Sequence, residues 1–335
     1  MPVNAVNNPT LMDVAGYLPK LSGQAIMIEA LNFASEFWDD ITFIQANNGT
    51  HHDASIRTGL PSGTWRALYE GIDPSRSNYV NVSDKSGQLA DYSVIDKALY
   101  DRMGSNAATW RAQEDAAFYE GMMQNVLKTV FYGDINDSAR AFVGLANRFN
   151  TVNTATSKTA ENVIDAGGTG ANNASIWLVG WSPRTVALFY PEGTKAGLQI
   201  QNLGQQTRQS SNGKSYEALV TYFEINVGLS VQDWTSVVRI ANIDVTTLKA
   251  DLSSGPDLPA LMDRATDMLK NSGGMRPVWY TTRTVRGFIR SQVEKKTGFT
   301  LHSEDLYNRD RKVATYAGYP IRALETLLNT EVRVV

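Results

Sequence analysis

The chain has 335 residues, a formal net charge of −3 and no cysteine. The absence of cysteine excludes disulfide frameworks, thiol nucleophiles and cysteine metal sites, and the acidic balance argues against tight binding of nucleic acid. Charged residues make up only 19% of the sequence and hydrophobic ones 42%, so extra apolar area must be buried, either in a large core or between subunits.

The first 40 residues are predicted to form an N-terminal arm and a first helix. Residues 1–20 are polar and contain three prolines, whereas an apolar stripe at helical spacing predicts a helix at 24–39. The N-terminus lacks the pattern of a signal peptide, and no apolar run is long enough to span a bilayer. We therefore expect a protein that is made and kept in the cytoplasm.

Residues 41–95 are predicted to form an extended loop, a long β-hairpin. Strand signals at 41–44, 52–57 and 77–82 are separated by Gly and Pro breaks. A segment of this length with little core material is too long for an ordinary connection, so it is either disordered or stabilised from outside. Its aromatic and arginine residues argue against disorder and favour a hairpin that lies on a neighbouring molecule.

The clearest periodic element is a predicted helix of about 25 residues that ends at Gly133. One of its faces repeats every four residues: Trp110, Glu114, Phe118, Met122, Val126 and Val130. At 1.5 Å per residue such a helix is roughly 37 Å long, which is typical of a spine that runs the length of a small domain.

The rest of the chain alternates strands and helices after a loop-like stretch at 134–172. Asn212-Gly213 predicts a tight hairpin, and helices are predicted at 258–269 and 282–296. Strand patterns occur at 176–179, 186–190, 237–240, 278–280, 315–322 and 332–335, of which the last two are expected to pair. The sum predicts an α+β protein of elongated outline, without internal repeats.

No group of residues predicts catalysis or metal binding. His51 and His52 are adjacent and face opposite sides of a strand, and with His302 they are expected to be solvated turn residues. The Gly-rich stretch 165–170 lacks the Lys-Ser/Thr pair of a phosphate-binding loop and favours a flexible turn. Acidic residues are scattered, so a carboxylate-based hydrolase stays open as an alternative. We predict no enzyme activity, no cofactor and no metal.

Several short stretches from residue 56 onwards occur in a specific order. They are 56–61 with 64–66, 131–134 leading to 142–145, 164–170, 175–181 with 195–198, 238–244, and 318–322 with 327–331. This ordered set resembles the podophage-type major capsid proteins of tailed bacteriophages, which have the Hong Kong 97-like capsid fold.

The resemblance implies a division of the α+β chain into the parts of that fold. Residues 1–40 are assigned to the N-terminal arm and first helix, and 41–95 to the extended loop. Residues 96–135 and 301–335 are assigned to the peripheral domain with its spine helix, and 136–300 to the axial domain. The connectivity of the fold varies, so the last segment could return to either domain.

The resemblance also implies a function and its partners. The chain would self-assemble through hexamers and pentamers into an icosahedral phage head, contacting the packaged double-stranded DNA only weakly. Separate scaffolding, portal and cement proteins would join it, without any membrane, in a virion assembled in the host bacterial cytoplasm. The candidate intersubunit contacts are Arg57, Trp65, Arg66, Tyr69, Glu70 and Arg76. The alternatives are an encapsulin-like compartment shell, another virion part such as a tail or connector protein, and the hydrolase mentioned above.

Overall fold

The computed structural model describes most of the chain after residue 34. The described residues are 35–138, 140–210, 212–251, 255–270, 274–295, 303–305 and 312–335. The predicted arm and most of the predicted first helix lie outside these residues. Only the end of that helix is described, as α1 (Ser35–Trp38).

The described elements alternate between strands and helices, which confirms the predicted α+β class. The first part of the chain forms β1 (Phe43–Gln45), β2 (His51–Gly59), β3 (Asn78–Asp96), α2 (Lys97–Arg102), α3 (Ala107–Tyr132) and α4 (Leu145–Arg148). The middle forms β4 (Val163–Asp165), β5 (Asn173–Trp181), β6 (Val186–Tyr190), β7 (Leu198–Gln209), β8 (Ser215–Val231) and β9 (Val237–Asp244). The last part forms α5 (Val245–Ala250), α6 (Leu258–Met268), β10 (Arg276–Thr281), α7 (Arg283–Lys295), β11 (Ser303–Asp305), β12 (Lys312–Tyr316) and β13 (Tyr319–Ala323).

The chain divides into two compact units. The larger unit contains Ser35–Gly87, Leu127–Ala196 and Val227–Val335, and the smaller unit contains Gln88–Val126 and Gly197–Asn226. Three elements, β3, α3 and β8, therefore contribute residues to both units.

The larger unit is built around β5, which pairs antiparallel with β9 and β10. All nine residues of β5 are buried, as expected for a strand that is covered on both faces. The apolar cluster that includes α5, α6 and α7 contains Ile176, Leu178, Ile240, Leu248, Leu258, Met262 and Ile289. A second, aromatic cluster contains Phe37, Phe131, Phe149, Trp177, Trp181 and Tyr280. Side chains alternate along β5, so its neighbours Trp177 and Leu178 serve different clusters.

The C-terminal segment adds strands to the same sheet. Strand β13 pairs in parallel with β10 and antiparallel with β12, so the stretch 315–322 pairs within itself as a hairpin and not with 332–335 as predicted. The prediction of a strand at 332–335 that pairs with 315–322 is wrong. Val332 and Val335 are exposed, and the Asn242 side chain binds the backbone of Val334 instead, with Nδ2 donating to its carbonyl and Oδ1 accepting from its N–H, both at 2.8 Å. A side chain thus supplies the hydrogen bonds that a strand partner would have supplied.

A buried polar network fixes the residue just before that tail. The carboxylate of Glu331 accepts hydrogen bonds from Arg239 Nη2 at 2.8 Å, from the Tyr132 hydroxyl at 2.6 Å and from the Ser175 hydroxyl. The side chains of Arg239 and Glu331 are only 4% and 6% exposed. The Arg239 guanidinium also donates to the carbonyl of Phe149 at 2.7 Å. Burial together with the nearby Glu331 carboxylate raises the pKa of Tyr132 far above its ordinary value, so this hydroxyl stays a donor.

The smaller unit combines the β7–β8 hairpin with the first part of α3 and the last part of β3. The predicted turn at Asn212-Gly213 joins the two hairpin strands, whose register runs from Leu198 opposite Ile225 to Gln209 opposite Ser215. The Phe118 ring of α3 stacks on Phe223, with centroids 5.9 Å apart. A small core of Ile95, Leu99 and Trp110 joins β3, α2 and α3.

Candidate intersubunit contact surface

Strands β2 and β3 form the long hairpin that the sequence predicts. Their register runs from His51 opposite Lys85 to Arg57 opposite Tyr79. The Arg57 guanidinium donates to the Tyr79 hydroxyl at 2.9 Å and lies 5.1 Å from the centroid of that ring. This pair supports the neck of the hairpin, next to the turn region.

The base of the hairpin is anchored within the larger unit. The buried carboxylate of Asp84 accepts a hydrogen bond from Arg148 Nη2 at 2.7 Å and another from the backbone N–H of Val231 at 3.3 Å. His52 is also buried, against Phe189, with ring centroids 5.6 Å apart. The expectation that His52 is a solvated turn residue is therefore wrong, because it sits within β2 and faces the core. His51 is partly exposed, and His302 lies outside the described residues.

The part of the hairpin between β2 and β3, residues 60–77, is here called the tip. Three of its apolar side chains are almost completely open to solvent: Trp65 is 101% exposed, Leu68 88% and Tyr69 104%. Soluble monomers rarely present large contiguous apolar patches, and such patches mark interaction sites. The tip therefore has the composition of an interface, and nothing in the part of the chain that the structure describes covers these side chains.

The tip nevertheless has an ordered turn. The backbone N–H of Ala67 donates to Glu70 Oε2 at 3.0 Å, and the N–H of Glu70 donates to the carbonyl of Ala67 at 3.3 Å. Arg66 Nη1 donates to the carbonyl of Glu70 at 3.2 Å. Tyr69 has a φ of 71°, in the left-handed region that disfavours tyrosine, so the turn must be held by these bonds.

The structure brings together some of the predicted contact residues and leaves others apart. Arg66, Tyr69 and Glu70 share the turn, and Trp65 precedes it directly. Arg57 lies at the neck with Tyr79, and Arg76 is exposed near the start of β3. Three further apolar residues are exposed in the tip but are not among the predicted contacts, namely Leu60, Leu68 and Ile72. Their position in a segment broken by Gly and Pro could have predicted that they are exposed.

A second feature lies in the smaller unit, between β3 and α3. An open cavity of about 340 Å³ is lined by Leu89, Ala90, Asp91, Ala117, Phe118, Gly121, Met122 and Asn125. The five α3 residues share one face of the helix, which follows from their spacing of one, three or four. The periodic pattern of α3 predicts that Phe118 and Met122 lie on one face of the helix. The sequence of β3 has no pattern that predicts its packing against that face.

The Gly-rich stretch 165–170 packs against Asn242 at the end of β9. Asp165 Oδ1 accepts from the backbone N–H of Gly167 at 2.8 Å and from Asn242 Nδ2 at 2.9 Å. A Cβ added at Gly168 would lie 2.5 Å from the Asn242 carbonyl oxygen, so glycine is required there by close backbone approach. Within the described ranges no group of three or more His, Asp or Glu side chains could hold a metal ion. No helix in those ranges is both long and apolar enough to cross a membrane.

The chain is similar to one family of known proteins and to solved capsid structures. The sequence profile of the family described as major capsid protein GP7 matches residues 21–335. A chain in the cryo-EM structure of bacteriophage Epsilon15 is 30% identical and superimposes with a TM-score of 0.73, covering 100% of this chain and 99% of that one. No curated protein is significantly similar.

Two further structures are similar at a lower level. A chain from Mycobacterium phage Adephagia is 10% identical with a TM-score of 0.46, covering 70% of this chain and 97% of its own. The SrpI encapsulin of Synechococcus elongatus is 9% identical with a TM-score of 0.43, covering 71% and 98%. Both TM-scores are below 0.5, so neither of these two likenesses bears on function.

Proposed function

Since this chain belongs to the major capsid protein GP7 family and has the Hong Kong 97-like capsid fold, we propose that it builds an icosahedral phage head through hexamers and pentamers. The chain is a structural subunit of a phage capsid, and a capsid requires that its copies associate. The observation that carries the proposal is the tip, where Trp65 and Tyr69 are fully exposed on an ordered turn. These side chains gain stability only when another molecule covers them.

The size of the exposed surface supports a permanent contact. Each buried Trp or Tyr removes roughly 150–250 Å² from water, and Leu60, Leu68 and Ile72 add to this area. Permanent interfaces bury roughly 2,000–5,000 Å² or more, so the tip supplies part of one and its flanking strands supply more. Repetition of the contact around a closed ring makes the assembly durable although each contact is modest.

The six candidate residues have separate roles in this proposal. Trp65 and Tyr69 provide the apolar contact, and Arg66 and Glu70 hold the turn that presents them. Arg57 stiffens the neck through Tyr79, and the exposed Arg76 offers a charge to the neighbouring copy.

The domain borders implied by the resemblance remain part of the proposal. Residues 1–40 would be the arm and first helix, 41–95 the extended loop, 96–135 with 301–335 the peripheral domain, and 136–300 the axial domain. The pairing of β13 with β10 supports the variant in which the C-terminal segment returns to the axial sheet.

The remaining partners follow from the same proposal. The mildly acidic charge fits weak contact with packaged double-stranded DNA, because a strongly basic lining would retain the DNA. Scaffolding, portal and cement proteins would be separate chains, and assembly would take place in the host cytoplasm. We propose no catalytic role for this subunit.

Electron microscopy of the full chain, expressed and purified, tests the proposal. We expect closed shells whose surface shows six-fold and five-fold clusters. Stable monomers without shells would contradict it. Rings or tubes in place of shells would indicate another virion part, and closed shells that contain a packaged enzyme would indicate a compartment of the encapsulin type.

A further inference from the structure

We propose that the cavity between β3 and α3 receives the Trp65 side chain of a second copy of this chain. The inference rests on the proposed function, since it names the surface on which the tip of the extended loop docks. The occupant is the tip of a neighbouring subunit, and Trp65 is its anchor residue.

The cavity has the chemistry of an aromatic-binding site. Six of its eight lining residues are apolar or glycine, namely Leu89, Ala90, Ala117, Phe118, Gly121 and Met122. An apolar cavity of roughly 150 Å³ is large enough to bind benzene, so about 340 Å³ accommodates a two-ring indole. The Phe118 ring and the Met122 thioether are groups that make favourable contacts with an aromatic ring.

The tip has the matching properties. Trp65 is the largest of its side chains and is fully exposed. The turn at 67–70 is already ordered by the Glu70 side chain, so docking costs less conformational entropy than for a flexible loop. Trp and Arg are both enriched among the residues that contribute most to binding at protein interfaces, and Arg66 follows Trp65 directly.

Charge complementarity supports the same orientation. Glu114 lies one helical turn before Phe118 on the cavity face of α3, and Asp91 lines the cavity itself. Among the residues that the structure describes, neither Glu114 nor Asp91 forms an ion pair. Burial and the adjacent Asp115 raise the pKa of Glu114, as expected for a carboxylate that has no ion-pair partner in the described part of the chain. An arginine beside the docking Trp65 would compensate it.

A substitution that fills the cavity tests the inference. A Cβ at Gly121 meets nothing within 4 Å, and Gly121 lines the cavity, so Gly121→Leu directs a side chain into the cavity from an open position. Leucine also has a higher helix propensity than glycine, so the subunit should fold at least as well. Gly287→Leu is the matched control, because Gly287 is an exposed helical glycine of α7 with equally open surroundings. We expect Gly121→Leu to reduce the yield of shells at least tenfold and Gly287→Leu to leave it unchanged.

Cross-linking identifies the occupant directly. The chain has no cysteine, so a short bis-maleimide joins only thiols that are introduced. Thr64→Cys combined with Ala117→Cys should give ladders of joined subunits in assembled shells. Thr64→Cys combined with Ala116→Cys, on the opposite face of α3, should give several-fold fewer.

The outcomes separate this inference from the function on which it rests. Shells from the wild type and equally from Gly121→Leu would overturn the inference and leave the proposed function intact, since the tip would dock elsewhere. A link between Thr64→Cys and Ala117→Cys within a single chain would also overturn the inference, because the subunit's own tip would then fill the cavity. A link between Leu21→Cys and Ala117→Cys in the same chain would overturn it as well, because the occupant would then be the subunit's own N-terminal segment. Failure of the wild type to form shells would overturn the proposed function itself.

Discussion

Removal of the Glu331 carboxylate is expected to destabilise the larger unit severely. Glu331→Ala leaves the Arg239 guanidinium, which is only 4% exposed, without its anion. Breaking a buried pair in this way costs roughly 3–5 kcal/mol. Arg239 keeps its bond to the Phe149 carbonyl and lies 4.8 Å from the centroid of the Trp177 ring, so the lower half of that range is expected.

The expected cost corresponds to a measurable shift in melting temperature. An entropy of unfolding of about 2.1 cal/mol/K per residue gives roughly 0.7 kcal/mol/K for a chain of this length, so 3–4 kcal/mol lowers the Tm by about 4–6 °C. The measurement is thermal and urea denaturation of unassembled subunits at neutral pH, followed by circular dichroism.

Glu325→Ala is the matched control for burial. Glu325 pairs with Arg283 at 2.8 Å, the same separation as in the Arg239–Glu331 pair, but the two side chains are 40% and 66% exposed. Exposed pairs contribute about 0–1 kcal/mol, so this variant should melt within about 1 °C of the wild type. Equal, small effects of both substitutions would refute the argument that burial makes the Glu331 carboxylate important.

Three further predictions concern the tip and the cavity face of α3. Trp65→Ala, like the change of the adjacent arginine to alanine, should reduce shell yield in sedimentation while the monomer Tm stays unchanged; an equal fall in Tm would place Trp65 in the subunit core. Phe118 is only half-buried against Phe223, so Phe118→Ala should cost about 1–2 kcal/mol in urea denaturation, less than the 3–5 kcal/mol of a fully buried Phe. Glu114→Gln should stabilise the isolated subunit at pH 7. The raised pKa of Glu114 means that folding favours its protonated form, and this stability is lost as the pH rises through the folded pKa. Glutamine is neutral at every pH and avoids that loss. The urea midpoints of the variant and the wild type should converge below the ordinary Glu pKa, and a gap that persists at low pH would show another cause.

Most elements could be predicted because their patterns arise from one-sided or complete burial. Helix α3 was expected from the stripe that begins at Trp110 and to end at Gly133, and it spans Ala107–Tyr132. Gly133 marks its end for a physical reason, since a Cβ there would lie 2.3 Å from the Phe142 carbonyl oxygen. The long strand β3 was predicted only in its first part, because residues 83–88 in its middle are all polar or glycine and carry no strand pattern.

The features that escaped prediction depend on contacts between distant segments. The tail at 332–335 has the composition of a strand, yet its backbone is bound by the side chain of Asn242, about 90 residues earlier. His52 has a turn-like neighbourhood in sequence but packs on Phe189. The aromatic residues of the tip predicted it as an intersubunit surface. The cavity lies between β3 and α3, and no local sequence pattern predicts that these two elements pack together.

The attachment of residues 331–334 to β5 and β9 has a consequence for the order of events during synthesis. Arg239 and Asn242 are translated long before Glu331 and Val334, the partners that satisfy them. Until residue 334 has been made, a nascent chain therefore holds the Arg239 guanidinium without its carboxylate partner and the Asn242 amide without the Val334 backbone, although each keeps an earlier acceptor, the Phe149 carbonyl and the Asp165 carboxylate. The central sheet of a subunit is therefore incomplete while the subunit is still being translated. An incomplete sheet would keep the subunit from joining a growing shell before residues 331–334 have been made.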